Sequence, residues 1–213
     1  MDEGLGLRER KKARTRKAIS EAAIALFLER GYDDVPVTEI ADAAEVSKRT
    51  LFAYFPTKDD LVLHRFADHE DESARVVRDR PADESPLDAL HRHLRITLER
   101  RDPITGLCDT PEVVAFHRLV RDTPALSTAL QRYHARSVEA LTSALFGAAR
   151  EAPHPELTAR LAASQIFVVL RELADANQRR IIAGQSADAL APAALTEADH
   201  AFDLLRGGLA PYA

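Results

Sequence analysis

Residues 37–62 read VTEIADAAEVSKRTLFAYFPTKDDLV, the most informative segment of the chain. Its spacing predicts two short helices, at about 36–43 and 48–53, joined by a tight turn. Pro36 costs no hydrogen bond in a first helical turn, and Ser47 is a good N-cap for the second helix. The small residues for a close helix crossing and the apolar residues for the interior are Ala41, Ala44, Ile40, Val46 and Leu51. The pattern predicts a helix-turn-helix unit over about residues 36–55.

A longer helix is predicted before this unit, from about residue 10 to residue 30, with Gly31 as its stop. Its apolar stripe consists of Ile19, Ala22, Ala23, Leu26 and Phe27. Residues 8–17, RERKKARTRK, carry seven basic side chains and one acidic one, although the net charge of the chain is −5. Attraction to phosphate depends on local patches, because screening acts over about 8–10 Å. We therefore expect this run, with Arg14 as the candidate residue, to contact DNA; a solvated basic tail is the alternative.

The sequence as a whole predicts an all-α protein of nine or ten helices, because glycine is scarce and alternation of β-branched residues is almost absent. Helix starts are expected at Thr57, with a capping-box-like sequence, and at Ser85-Pro86, Thr110-Pro111 and Thr123-Pro124. A long helix is expected from about Pro155 to Gly184, and a last one from Thr196 to Gly207-Gly208. The predicted organisation is a flexible arm at 1–9, a DNA-binding domain at 10–56, and a larger helical ligand-binding and dimerisation domain at 57–213.

The helix-turn-helix stretch resembles the DNA-binding region of TetR-family regulators, whose pattern is roughly I-A-x-x-A-G-V-S-x-x-T-[LF]-[YF]-x-Y-F-x-x-K-x-x-L. The matching residues are Ile40, Ala41, Ala44, Val46, Ser47, Thr50, Leu51, Phe52, Tyr54, Phe55, Lys58 and Leu61. The resemblance covers about residues 10–65 and implies a DNA-binding transcriptional regulator, usually a repressor. Two residues depart from the usual pattern. Glu45 stands where a glycine is usual, and Phe52 stands where many members carry tyrosine.

The resemblance also implies roles for individual side chains. Lys48 and Arg49 lie where the family reads base edges, and the planar fork of Arg49 can bond guanine bidentately. Thr50 and Tyr54 match positions that contact phosphate. Lys58 opens a helix whose dipole favours a phosphate. The expected partner is a near-palindromic, double-stranded operator.

The helix from residue 155 carries two apolar stripes, and we interpret the second as a contact between subunits of a homodimer. The expected dimer-interface residues are Leu157, Leu161, Ser164 and Val168, with Phe202 and Leu205 from the final helix. Packing within the subunit is the alternative. Family members bind small, often hydrophobic, effectors between such helices. The candidate pocket residues are His93, Thr97, Phe116, His117, Val120, Tyr133, Gln165 and Phe167.

An enzyme is not expected, and neither are a cofactor, a metal site or a membrane span. His91 and His93 point about 200° apart on a helix and cannot chelate one ion. Nothing in the sequence fixes a nucleophilic geometry for Cys108 and His117, and no glycine-rich phosphate loop is present. The single cysteine fits a reducing cytoplasm, where a DNA-bound regulator would join the nucleoid. The alternatives are an architectural DNA binder without an effector and a metal- or cysteine-dependent enzyme.

Overall fold

The computed structural model describes residues 6–213, and this part of the chain contains helices and no strand. Ten α-helices run in chain order: α1 Leu7–Arg30, α2 Val37–Ala43, α3 Lys48–Tyr54, α4 Lys58–Leu63, α5 Glu72–Arg78, α6 Pro86–Glu99, α7 Pro111–Asp122, α8 Pro124–Leu145, α9 Pro155–Ile182 and α10 Ala187–Gly208. Short 3₁₀ helices occupy His64–His69, Pro103–Thr105 and Ala210–Tyr212. The all-α prediction is confirmed.

Most predicted helix starts are confirmed, and three of them carry a side-chain cap. The Ser47 hydroxyl accepts from the Thr50 N–H at 3.0 Å. Thr57 and Asp60 form a reciprocal capping box, with bonds of 2.9 and 3.2 Å. Ser85 caps α6 ahead of Pro86.

Three boundaries differ from the predictions. Helix α1 begins at Leu7 rather than near residue 10, so the basic run is helical from its first residue. The rest of the predicted arm, residues 1–5, lies outside the described residues. Helix α10 begins at Ala187 rather than Thr196, because Ser186 caps it and the exposed Pro192 is accommodated inside the helix. The helix opened by Thr57 breaks after Leu63 into a 3₁₀ segment before α5.

The chain divides into two compact units. Among the described residues, the first contains 6–65 and 115–130, and the second contains 66–114 and 131–213. In the first unit α1 packs on α2 and α4, and α2 packs on α3. The domain boundary expected at residue 57 stays a prediction, and the compact units divide after Arg65.

The core of the first unit is apolar and fully covered. Its buried residues from α1 to α4 include Ile19, Ala23, Phe27, Ile40, Leu51, Phe55 and Leu61. A polar contact also joins α1 to α4, since the Ser20 hydroxyl donates to the Leu61 carbonyl at 2.6 Å. This packing fixes the position of the helix-turn-helix on α1.

In the second unit α10 packs on α6 and α9, and α5 packs on α6. The close approach of the Pro103–Thr105 turn to α9 requires Gly106, whose φ is +70° and whose Cβ would lie 2.1 Å from the Ala174 carbonyl oxygen. Asn177 donates to the Thr105 carbonyl at 3.0 Å in the same place.

Candidate nucleic-acid interface

The turn between α2 and α3 is closed by two backbone hydrogen bonds. The Val46 N–H donates to the Ala41 carbonyl at 2.9 Å, and the Glu45 N–H donates to the Asp42 carbonyl at 3.0 Å. This pair of bonds is the Schellman arrangement, which needs a left-handed residue after the helix. Glu45 occupies that place with φ +53°. The turn therefore does require the positive φ that makes glycine usual there.

Replacing Glu45 by glycine is expected to raise the free energy of unfolding by about 1 kcal/mol, because the side chain is strained in this conformation. The change should also tighten DNA binding, since a negative charge leaves the turn. Urea unfolding and binding of labelled DNA measure the two effects. Glu45→Gln removes only the charge and should tighten binding without added stability. A glycine variant no more stable than the native chain would show that the left-handed conformation stores no strain.

Helix α3 presents a charged outer face. Lys48 and Arg49 are exposed beside the capped N-terminus of the helix, as expected for base-reading residues. Thr50 is half-buried, and its hydroxyl lies 2.7 Å from the Ser47 hydroxyl, so it takes part in the cap. Phe52, on the same outer face, is 40% exposed. The direct readers predicted from the sequence are therefore accessible.

The C-terminal end of α3 is tied to α1. The Arg16 guanidinium donates to the Tyr54 carbonyl at 3.0 Å and lies 5.5 Å from the centre of the Phe55 ring. Tyr54 is half-buried, whereas Arg14 is exposed, as are the other basic side chains of residues 8–17. Sequence reasoning missed this contact of Arg16 with α3, because the carbonyl that Arg16 binds lies 38 residues away.

Lys58 lies against the first unit rather than projecting freely. Its ammonium donates to the Tyr32 carbonyl and lies 4.4 Å from the Tyr32 ring centre and 5.3 Å from that of Phe27. Burial lowers the pKa of Lys58, and the nearby carboxylates of Asp33 and Asp34 oppose that shift. Its expected phosphate contact stays a prediction, and Lys58 also stabilises the domain.

The candidate effector residues divide between the two units. In the first unit Phe116, His117 and Val120 are buried, and the Arg65 guanidinium lies 5.1 Å from the Phe116 ring centre. Burial, with a smaller contribution from Arg65, lowers the pKa of His117 to about 4. This histidine is therefore neutral at pH 7.

In the second unit the predicted pocket residues use their polar groups internally. The Thr97 hydroxyl bonds to carbonyls of its own helix, and the Tyr133 hydroxyl donates to the Phe66 carbonyl. The His93 Nε2 lies 3.3 Å from Glu72. Phe167 packs against His134, with ring centres 5.1 Å apart. Gln165 is exposed on α9, unlike Thr97 and Tyr133, and its assignment to a pocket wall stays a prediction.

Acid is expected to destabilise the fold through His117. In the unfolded chain His117 binds a proton near its ordinary pKa of 6.5, whereas in the folded chain it does so only near pH 4. The free energy of unfolding therefore falls as the pH drops between these two values, because the unfolded chain binds more protons there. Urea unfolding between pH 7 and 4.5 measures this slope. His117→Gln should flatten it, whereas His200→Gln, at an exposed position of α10, should leave it unchanged. Equal slopes in the native chain and His117→Gln would refute the assignment. Some slope should remain, because burial also lowers the pKa of His134 to about 4.

One face of α9 is apolar and open to solvent. Leu157, Leu161 and Val168 are 54%, 52% and 49% exposed, and the Ser164 hydroxyl bonds to the Arg160 carbonyl at 2.8 Å. Consecutive members are three or four residues apart, so they lie on one side of the helix. The structure thus leaves the predicted interface stripe of α9 uncovered in the single chain.

On α10 the predicted interface residues are less exposed than those on α9. Phe202 and Leu205 are buried in the core of their own subunit, and Phe202 stacks on His91 with ring centres 4.8 Å apart. Their place in a subunit interface stays a prediction. Leu204, which the sequence interpretation passed over, is 67% exposed. The apolar pattern in the sequence corresponds to the buried face of α10. Leu204 lies outside that pattern, one residue before Leu205.

The histidine and cysteine considered for a metal- or cysteine-dependent function have neighbours within the fold. The His91 Nε2 lies 2.8 Å from Asp199, and Cys108 is buried with its sulfur 3.4 Å from the Thr110 hydroxyl. Across the described residues no cluster of three potential metal ligands occurs. Within residues 6–213 no helix is long and apolar enough to cross a bilayer.

Two short helices in a capped, tight-turned pair, with Lys48 and Arg49 outward and an exposed basic helix alongside, define a DNA-binding domain of the helix-turn-helix class. Residues 19–64 match the family profile described as bacterial regulatory proteins, tetR family. This part of the chain is similar to the DNA-binding domains of that family.

The chain is 38% identical over 137 residues to the HTH-type transcriptional regulator TcmR of Streptomyces glaucescens, a match covering 64% of this chain and 59% of TcmR. It is 34% identical to RutR of Escherichia coli K12 over 44% of each chain. The chain thus spans less than two thirds of the length of these relatives. Both are named as transcriptional regulators, which agrees with the expectation of a regulator rather than an enzyme.

Solved structures share the fold at lower identity. NalD of Pseudomonas aeruginosa superposes with a TM-score of 0.56 at 21% identity, covering 89% of this chain and 96% of NalD. A complex of SmeT with triclosan superposes with a TM-score of 0.53 at 15% identity, covering 92% of this chain and 91% of SmeT. These likenesses show that the fold extends over nearly the whole chain.

Proposed function

We propose that this protein is a homodimeric transcriptional repressor that binds a near-palindromic operator and leaves it when a small molecule binds. The observation that carries the proposal is the outer face of α3. It presents Lys48 and Arg49 to solvent on a helix capped by Ser47 and held from behind by α1. A helix so presented fits the major groove of B-DNA.

Electrostatics support the same partner. The basic side chains of residues 8–17 are exposed on α1, and neutralising phosphates with such groups releases counterions. These contacts position the protein, and base contacts specify the sequence. The net charge of −5 disfavours non-specific binding elsewhere on the surface, so DNA should meet the protein at this end.

Dimerisation is supported by the uncovered stripe on α9. Leu157, Leu161 and Val168 would be buried by a second copy of the chain, and such burial stabilises an interface by about 25 cal/mol per Å². Two recognition helices related by a twofold axis require half-sites about one helical turn apart, roughly 34–36 Å. The operator should therefore be close to palindromic.

Effector control is supported by relatives of the same fold. NalD is described as the secondary repressor of a multidrug efflux pump, and SmeT was solved with triclosan. We infer a small, largely hydrophobic effector for this chain, held by its larger helical part, and an action on cytoplasmic DNA.

Selection of bound DNA from a random pool with the purified chain tests the proposal. We expect one enriched, near-palindromic sequence. A thermal-shift screen of small molecules should then identify compounds that raise the melting temperature and also release the selected DNA. Enrichment without any such compound would favour an architectural DNA binder, and no enrichment would refute the regulator.

Replacing Lys58 by alanine should weaken binding to selected and scrambled DNA alike. Loss of one phosphate contact per subunit flattens the dependence of log K on log salt by about 0.9 for each phosphate. Anisotropy titrations of labelled DNA at several salt concentrations measure the slope. The Tyr32 contacts predict a lower melting temperature as well. A lower melting temperature with an unchanged salt slope would leave Lys58 a stabilising residue only.

A further inference from the structure

Phe52 is an apolar side chain on the surface that should meet DNA. It is 40% exposed, whereas its neighbour Leu51 lies on the buried face of α3. The Lys48 ammonium lies 6.0 Å from the centre of the Phe52 ring. The phenyl ring has no hydrogen-bonding group, so it can form hydrogen bonds neither to phosphates nor to the polar edges of bases.

Helical geometry places Phe52 among the base-reading residues. Residues follow each other at about 100° around an α-helix, so Phe52 lies about 40° from Lys48 and about 60° from Arg49. The next residue, Ala53, is also exposed. The outer face of α3 thus combines two cations with an apolar patch of Phe52 and Ala53.

We propose that Phe52 contacts the 5-methyl group of a thymine in each half-site and thereby helps to determine operator sequence. Thymine alone among the four bases presents a methyl group in the major groove, and apolar side chains are its natural partners. The contact would cover the exposed part of the Phe52 ring. This inference rests on the proposed DNA-binding function.

The position of the thymine follows from the helix. Arg49 and Phe52 are three residues apart, which is about 4.5 Å along the helix axis. Stacked nucleotides are about 3.4 Å apart along each strand. The thymine should therefore lie one or two base pairs from the guanine read by Arg49.

The test uses the full chain and the operator obtained by selection from a random pool. Each thymine in a half-site is replaced by deoxyuridine, which removes the methyl group and leaves the base pair intact. At one thymine the native protein should lose about fourfold in affinity per half-site, and about fifteenfold when both half-sites are changed. Phe52→Ala should bind the thymine and deoxyuridine operators equally.

Leu28→Ala is the matched control, because Leu28 is also 40% exposed but lies on α1. It should keep the full preference for thymine, and Phe52→Leu should keep part of it. Circular dichroism confirms that the variants are folded. A native protein indifferent to every deoxyuridine substitution overturns the inference, as does a preference that survives in Phe52→Ala. A pool that yields no enriched sequence instead refutes the proposed function, and the inference with it.

Discussion

Val168→Asp is expected to convert the dimer to a monomer and to abolish operator binding at concentrations where the native protein is bound. Val168 is 49% exposed in the single chain, so aspartate there should leave the subunit fold intact. In a dimer the same carboxylate would be buried without a partner, which costs several kcal/mol. Light scattering measures the mass, circular dichroism the helicity, and anisotropy the operator affinity.

Ser143→Asp is the control for the added charge, because Ser143 is an exposed residue of α8. It should remain dimeric and bind DNA as the native chain does. The loss in Val168→Asp should exceed that in Lys58→Ala by a wide margin, since one subunit offers only one recognition helix. If Val168→Asp stays dimeric, the subunits meet through another surface.

Arg49→Ala should cost about 1–3 kcal/mol of discrimination at one base pair in each half-site, so the effect doubles in a dimer. The guanidinium is exposed on the outer face of α3, where bidentate bonding to guanine is open to it. The measurement is the ratio of affinities for the selected operator and a scrambled one. Without Arg49 that ratio should fall sharply.

Arg14→Ala provides the comparison, because Arg14 is an exposed cation of the basic run on α1. It should weaken both DNAs by a similar factor and leave their ratio nearly unchanged. If the two variants behave alike, Arg49 is a phosphate contact and the base reader lies elsewhere on α3.

The sequence predicted the start of α3, the capping box of α4 and the proline-led helices because these signals are local. A cap depends on a few adjacent residues, such as Ser47 with Thr50, and needs no knowledge of the fold. The 3₁₀ segment at His64–His69 carries no comparable signal. The early start of α10 was missed because Pro192 suggests a break that the helix tolerates.

The candidate site was predictable to the extent that exposure follows from helical phase. Arg49 and Lys48 lie outward as their positions imply. The contact of Lys58 with the Tyr32 carbonyl was beyond the sequence, because it joins residues 26 apart. The same limit explains α10: an apolar stripe predicts a covered face, but not whether the cover is the same subunit or a second one.

The composition of the first compact unit constrains how its DNA specificity can change. Residues 115–130 complete a unit that otherwise ends at residue 65, and the Arg65 guanidinium over the Phe116 ring joins the two stretches. A chimaera that takes only the residues up to 65 from another regulator would pack them against native residues 115–130. The two segments would then come from different proteins and would not be matched to each other. Transfer of the DNA-binding unit to another regulator therefore needs both segments, the residues up to 65 and residues 115–130, from the same protein. Exposed positions of α3 such as Arg49 and Phe52 can change singly without disturbing that joint, so new operators should be acquired by point substitution rather than by exchange of modules.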